Sequence, residues 1–237
     1  MNLKMQKILV VVFGLFYFVC MSQSGSVNYK VEPIQQDQSK QKEMPGSLAK
    51  IINKLNKQLK YVDVVLEFNA EESIFKVKES MNNDATFPLN DILRVAKASG
   101  DYYTNKSDGE CYKVIQFQDK DLSIVTNTPS WEITKETKTI QGYQCFKATT
   151  TFLDPNESES KVTAWFVKDL PYAFGPKKYF GLPGLILEIE DFGYRFYATK
   201  IDLSENGKDI ENPVKGKILT EQDYFAEGRA MGNPYKN

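Results

Sequence analysis

The sequence has no histidine in its 237 residues, and that absence removes more chemistry than any other feature. Without imidazole there is no Ser-His-Asp or Cys-His nucleophile activation, no histidine general base and no imidazole metal ligand. Cysteine is scarce as well, with only Cys20, Cys111 and Cys145. None of these forms a Cys-x-x-Cys pair, so the spacing usual in thiol metal sites and dithiol redox sites is missing. No metal or cofactor is expected. An excess of one charge is also lacking, with 30 Lys and Arg against 31 Asp and Glu. Such a surface does not suit a domain whose main partner is nucleic acid.

Long apolar runs are absent beyond the N-terminus. There, Lys4 and Lys7 precede an apolar stretch from Ile8 to Cys20 that is too short to span a bilayer. Cys20-Met21-Ser22 places small residues at the −3 and −1 positions of a signal-peptidase site. Residues 1–22 therefore read as a signal peptide, and the mature chain as a periplasmic or secreted protein. Lipidation at Cys20 is the rival reading, opposed by the bulky Val19 just before it. In an oxidising compartment the remaining pair, Cys111 and Cys145, reads as a disulfide. Closing that loop stabilises by about 4 kcal/mol in the chain-entropy model.

What the sequence does contain is β patterning. Ser26–Val31, Val62–Phe68, Ile74–Val77, Cys111–Phe117, Leu122–Val125, Ile140–Phe152, Val162–Val167, Leu185–Ile189 and Tyr194–Leu203 read as strands between Asp, Asn, Gly and Pro punctuation. Ser47 caps a helix through residue 60, with Leu48, Ile51, Ile52, Leu55 and Leu59 on one face. A weaker helix covers Pro88–Ala98, and a polar tail begins near Ser204, with a short helix from Thr220. Short connections predict antiparallel pairing. The expected fold is mainly β (α+β), one domain over 23–237. A single curved antiparallel sheet or half-barrel of about eight or nine strands wraps one or two short helices.

One segment stands apart. Between Trp165 and Leu185 run Pro171, Tyr172, Phe174, Gly175, Pro176, Tyr179, Phe180, Gly181, Leu182, Pro183 and Gly184. Prolines fix φ and glycines reach conformations closed to other residues, so this loop has one defined shape. Leu182-Pro183-Gly184 suits a type II turn. Gly181-Leu182-Pro183-Gly184-Leu185-Ile186 is, letter for letter, the hexapeptide of the GLPGLI family of exported proteins of Gram-negative bacteria. Gly142–Ala148 and the Trp165…Pro171…Gly175-Pro176 run also resemble that family, across roughly residues 23 to 205. The resemblance implies export and a β-rich domain. It implies no reaction and no catalytic residue, and it leaves Lys177, Lys178 and Phe180 without assigned roles.

Three functions compete. The first is a non-enzymatic binding or carrier domain for an apolar ligand or a protein segment, with Trp165, Tyr172, Phe174, Tyr179, Phe180 and Leu182 as a loop rim. Gly175, Pro176, Gly181, Pro183 and Gly184 would then hold the loop's shape. The same aromatics serve equally as core packing. The second is an accessory protein docking on an outer-membrane partner through a strand edge or the loop. The third is an enzyme using Glu188 and Glu190, although two carboxylates on one strand face more often form the wet side of a sheet. Lys50, Lys54, Lys57 and Lys60 give the first helix a basic face that could meet anionic lipid, though a solvated surface suits it better.

Overall fold

Among the described residues, alternating side chains and short turns build one sheet of twelve strands. The computed structural model describes residues 24–34, 46–78, 86–117, 120–153, 159–204 and 207–230. The expected signal segment with Cys20, the expected polar loop at 35–45 and the expected hairpin loop at 154–158 lie outside the described residues. The strands are β1 (Ser24–Pro33), β2 (Val64–Phe68), β3 (Glu72–Val77), β4 (Asp101–Asn105), β5 (Glu110–Phe117) and β6 (Lys120–Asn127). They continue as β7 (Glu132–Ile140), β8 (Tyr143–Leu153), β9 (Glu159–Val167), β10 (Leu185–Asp191), β11 (Tyr194–Ser204) and β12 (Lys217–Thr220). The helices are α1 (Gly46–Gln58), α2 (Leu89–Val95) and α3 (Glu221–Ala230).

The strand order is β12-β6-β5-β4-β3-β2-β1-β11-β10-β9-β8-β7. Every pair is antiparallel except β12, which runs parallel to β6 with Lys217 opposite Leu122. The sheet is therefore mixed, and it has twelve strands where the sequence patterning suggests eight or nine. The three additional strands have physical reasons for being quiet in sequence. In β4, Tyr102 and Tyr103 are both buried but on opposite faces, Tyr103 packing in a separate small cluster with Ile74 and Ile210. β7 is an edge strand exposed along most of its length, and β12 has four residues.

The sheet curls so that its inner face encloses the main core. Ring contacts run from Tyr29 to Phe75, and from Phe75 to Tyr102 and Phe196. The helices contribute less than their periodicity implies. In α1 only Leu55 is buried, joined by Leu59 in the following 3-10 turn, while Leu48 and Ile51 are 45% and 49% exposed. Likewise α2 buries Ile92 and Leu93 but leaves Leu89 exposed. The apolar stripe of α1 extends past the sheet it packs against.

The stretch 168–184 supplies the rest of the core. Its backbone is pinned by hydrogen bonds from Leu185 N to Leu170 O, Ile186 N to Phe174 O and Gly181 N to Ala173 O. Tyr29, at the centre of β1, donates its hydroxyl to the Ile186 carbonyl at 2.6 Å. The turn at Leu182-Pro183-Gly184 is tighter than a type II turn. Gly184 N–H donates to Leu182 O at 2.8 Å, closing three residues around Pro183. Gly184 has φ 155°, and a Cβ there would overlap the Val167 carbonyl. A Cβ on Gly175 would stand 2.7 Å from Ile186 Cβ, so this chain approach also requires glycine.

The expected disulfide does not form: Cys111 and Cys145 are separate buried thiols. They sit on β5 and β8, near opposite ends of the strand order. Each thiol has its own local partner, Cys111 facing the Lys177 carbonyl and Cys145 the Tyr143 carbonyl. Burial pushes their pKa values up to about 12 and about 11.

Residues 23–237, when folded, should resist iodoacetamide at pH 8, then take up two alkyl groups once denatured without reductant; uptake of none would restore the disulfide. Gly184→Ala should destabilise the domain by about 3 kcal/mol through the Val167 clash, lowering Tm by about 10 °C in a thermal melt. An unchanged melt would show that the turn tolerates a side chain.

Candidate functional site

The loop aromatics are placed inside. Tyr172, Phe174, Tyr179, Phe180 and Leu182 are all buried, none more than 7% exposed. Tyr172 packs on Phe68 of β2 with ring centroids 4.6 Å apart, and Tyr179 meets Phe152 of β8 at 5.7 Å. The loop thus bridges distant parts of the sheet and fills its concave side. Presenting these side chains to a ligand would require the loop to leave the core. Trp165 lies half-buried on the outer face, with the Lys138 ammonium 4.3 Å from its ring. Lys138 also pairs with Glu188 at 2.6 Å, covering that carboxylate so that it is 5% exposed. Glu190, two residues on, is only half-buried. The pair is therefore split, Glu188 being a partnered structural carboxylate.

The chemistry collects behind the loop. Lys177 and Asp191 form an ion pair with both residues buried at 4% and 3% exposure. Lys177 adopts left-handed backbone at φ 55°, and its ammonium lies 4.8 Å from the Phe196 ring centroid. Burial lowers the Lys177 pKa, and Asp191 counteracts that. The Tyr179 hydroxyl faces Asp191 as well, loosely enough that neither it nor Asp191 Oδ1 completes a well-aligned hydrogen bond. Burial first, and the Asp191 charge second, raise the Tyr179 pKa well above its usual value.

Two more lysines, both partly buried, lie near this pair. Lys178 holds Glu221, the first residue of α3, at 2.7 and 3.1 Å, and stands 4.5 Å from the Phe152 ring. Lys113 shares the inner face of β5 with Cys111, its ammonium 5.6 Å from the Tyr102 ring. Burial, and then the nearby Lys177 charge, lower the Lys113 pKa to about 8. The sequence gives no hint of this cluster, because Lys113 occupies an ordinary polar position in an alternating strand. Lys177 reads equally as a variable loop residue.

Over this cluster lies a cleft of about 710 Å³ where the two ends of the sheet approach. Val125 and Thr126 of β6, and Thr220 and Glu221 at the start of α3, form one wall. Thr150, Thr151 and Phe152 of β8 form the other, and Thr128 to Ser130 cross between. Trp131 fastens the crossing by donating Nε1–H to the Phe180 carbonyl at 2.8 Å. Thr220 caps α3, accepting from Asp223 N–H at 3.1 Å while donating to the Asp223 carboxylate at 2.8 Å.

The β8 wall has an open edge. β9 pairs with β8 through Leu153, but β7 pairs with it only as far as Glu132 opposite Thr149. From Thr150 to Leu153 the side of β8 away from β9 has no strand partner among the described residues. Among the described residues, no cluster of His, Cys, Asp and Glu suited to a metal exists, and no helix is long and apolar enough to cross a membrane.

The fold and cleft define an open, mixed β-sheet domain with a plugged concavity. A family described as a protein of unknown function (Porph_ging) matches residues 152–188, from the β8 wall through the loop into β10. No curated protein matches the sequence. The structure of PNGF-II in the C2 space group is similar, with TM-score 0.53 and 16% identity, over 89% of this chain and 33% of that one. PNGF-II in the P21 space group gives TM-score 0.54 and 16% identity, over 85% and 32%. The chain thus spans about a third of the length of those structures, and the likeness is one of fold.

The Lys113 environment gives a signed pH dependence. Its folded pKa of about 8 lies below the ordinary 10.5, so the unfolded chain holds more protons between those values. Stability from this group is thus lowest below pH 8 and recovers as pH rises toward 10.5. Lys113→Met should stabilise at pH 6.5, by at most about 3 kcal/mol, with the gain shrinking by pH 10. Urea melts at both pH values check this; a gain equal at both would detach it from the lysine's charge.

Proposed function

We propose that this is an exported envelope domain of the GLPGLI type that acts without catalysis, binding an extended segment of a partner protein in the cleft. The observation that carries this reading is the unpaired side of β8 from Thr150 to Leu153, facing the cleft. An extended chain laid there adds a strand, taking main-chain hydrogen bonds from β8 and side-chain hydrogen bonds from the threonine-rich walls. The apolar-ligand version of the binding role has less support, since the loop aromatics occupy the sheet's concave side. Export is supported by the N-terminal pattern, and the family resemblance by the hexapeptide at 181–186 lying within the matched span.

The accessory reading differs in using the outer edge at β7 as its dock. A photo-crosslinking residue at Thr151 discriminates between them when compared with one at Thr134 on β7. In the native envelope, the Thr151 probe should give a discrete protein adduct and the Thr134 probe none. Adducts from Thr134 alone would move the interface to the outer edge.

A further inference from the structure

We infer that the Lys177 amine and the Asp191 carboxyl condense to a side-chain amide, a covalent cross-link between the loop and the β10–β11 hairpin. Their contact is direct, Lys177 Nζ against Asp191 Oδ2, and the two side chains are 3% and 2% exposed. In every other ion pair among the described residues, at least one side chain is a third or more exposed. The surroundings are apolar: the amine lies 4.8 Å from the Phe196 ring centroid and 5.7 Å from that of Tyr179. Two further atoms mark the place. Asp191 Oδ1 and the Tyr179 hydroxyl, which faces this carboxylate, are buried and complete no well-aligned hydrogen bond. As an ion pair the site thus leaves one carboxylate oxygen and one hydroxyl unused, in an interior where unmet polar groups are costly.

The reaction closes on the atoms already present. Burial favours the neutral amine over the ammonium, and the neutral amine is the nucleophile. One Nζ proton passes to Oδ2, and the nitrogen lone pair forms a bond to the Asp191 carboxyl carbon. A second Nζ proton follows to Oδ2, whose bond to carbon breaks with its electron pair, and water leaves. The amide nitrogen keeps one proton, Oδ1 becomes the amide oxygen, and no co-reactant is consumed. During addition, charge gathers on Oδ1, and the Tyr179 O–H is the group placed to donate to it. In the product that same donation satisfies both atoms. The partners meet without a search, since Lys177 is held in left-handed backbone and Asp191 borders the Phe192-Gly193 turn. Burial also keeps solvent from reversing the step. Lys138–Glu188 and Lys178–Glu221, each with one partner open to water, stay ion pairs.

The test is the mass of residues 23–237, folded and reduced, which should lie one water below that of the sequence. In a tryptic digest, 169–178 should be joined to 179–195 through the two side chains. Two free α-amino termini distinguish this species from the uncleaved peptide of equal mass. Lys177→Arg should keep the full mass. Asp191→Asn should lose ammonia in place of water and arrive at the same final mass as the wild type. Tyr179→Phe should slow the loss by about a hundredfold.

Full mass in the folded wild type overturns the inference. So does a water loss that persists in Lys177→Arg, which marks a succinimide at Asp191 and no cross-link. Should that variant fail to fold, the wild-type digest decides alone, because a succinimide joins no second peptide. Cross-linking of Tyr179→Phe at the wild-type rate removes Tyr179 from the reaction.

Discussion

A single sheet of this many strands has two faces, and the inner one must be filled by its own chain or remain wet. Here much of the filling comes from one stretch, residues 168–184. Its hold on the sheet is a substitution in the hydrogen-bond ladder. β11 pairs with β10 from Glu188 onward, so Leu185 and Ile186 lack that neighbour. The carbonyls of Leu170 and Phe174 accept their amide protons instead, and Tyr29 donates to the Ile186 carbonyl from across the core. Buried backbone polar groups are costly when unpaired, so the loop completes the strand and the strand fixes the loop. The aromatic packing from Phe68 to Tyr172 and from Tyr179 to Phe152 follows from that fixed backbone.

Within this arrangement the Lys177–Asp191 pair acts as a locator. A buried ion pair is a weak source of net stability, because desolvation offsets most of the attraction. Its geometry is demanding, however, and only one seating of the loop brings the two charges together. Asp191 precedes the tight Phe192-Gly193 turn between β10 and β11, where both turn residues have positive φ. The acceptor is thus on a rigid hairpin and the donor on the plug. Any slip of the plug would leave two buried charges apart, which is far costlier than losing the pair to apolar residues.

Much of the sheet was legible in sequence where its strands are half-buried and alternate, as in Val27-Asn28-Tyr29-Lys30-Val31, whose first, third and fifth residues are buried. The strands that were not legible fail the same criterion for identifiable reasons. β7 has solvent along both faces of an edge and so reads Glu-Ile-Thr-Lys-Glu-Thr-Lys-Thr-Ile, without an apolar rhythm. β4 buries adjacent tyrosines on opposite faces, which breaks alternation although both are core residues. Cysteine parity pointed to a bridge, but distance along the strand order decides, and parity contains no such distance. The cleft was illegible for a related reason. Its walls come from β6, β8 and α3, brought together by curvature that no local pattern encodes.

Two of the places where the sheet could accept another strand are built differently, and the contrast bears on function. β7 is guarded as exposed edges usually are: Glu132, Lys135, Glu136 and Lys138 line it, and its pairing slips between Ile133 and Thr137. Charge and irregular register both discourage a passing strand. The open side of β8 has neither device. Thr150-Thr151-Phe152-Leu153 carries no charge, keeps regular register with β9, and is screened only by the position of the cleft. An unguarded edge on the outside invites indiscriminate pairing, whereas one set between walls admits only a chain that fits. In the docking reading, access is therefore controlled by shape.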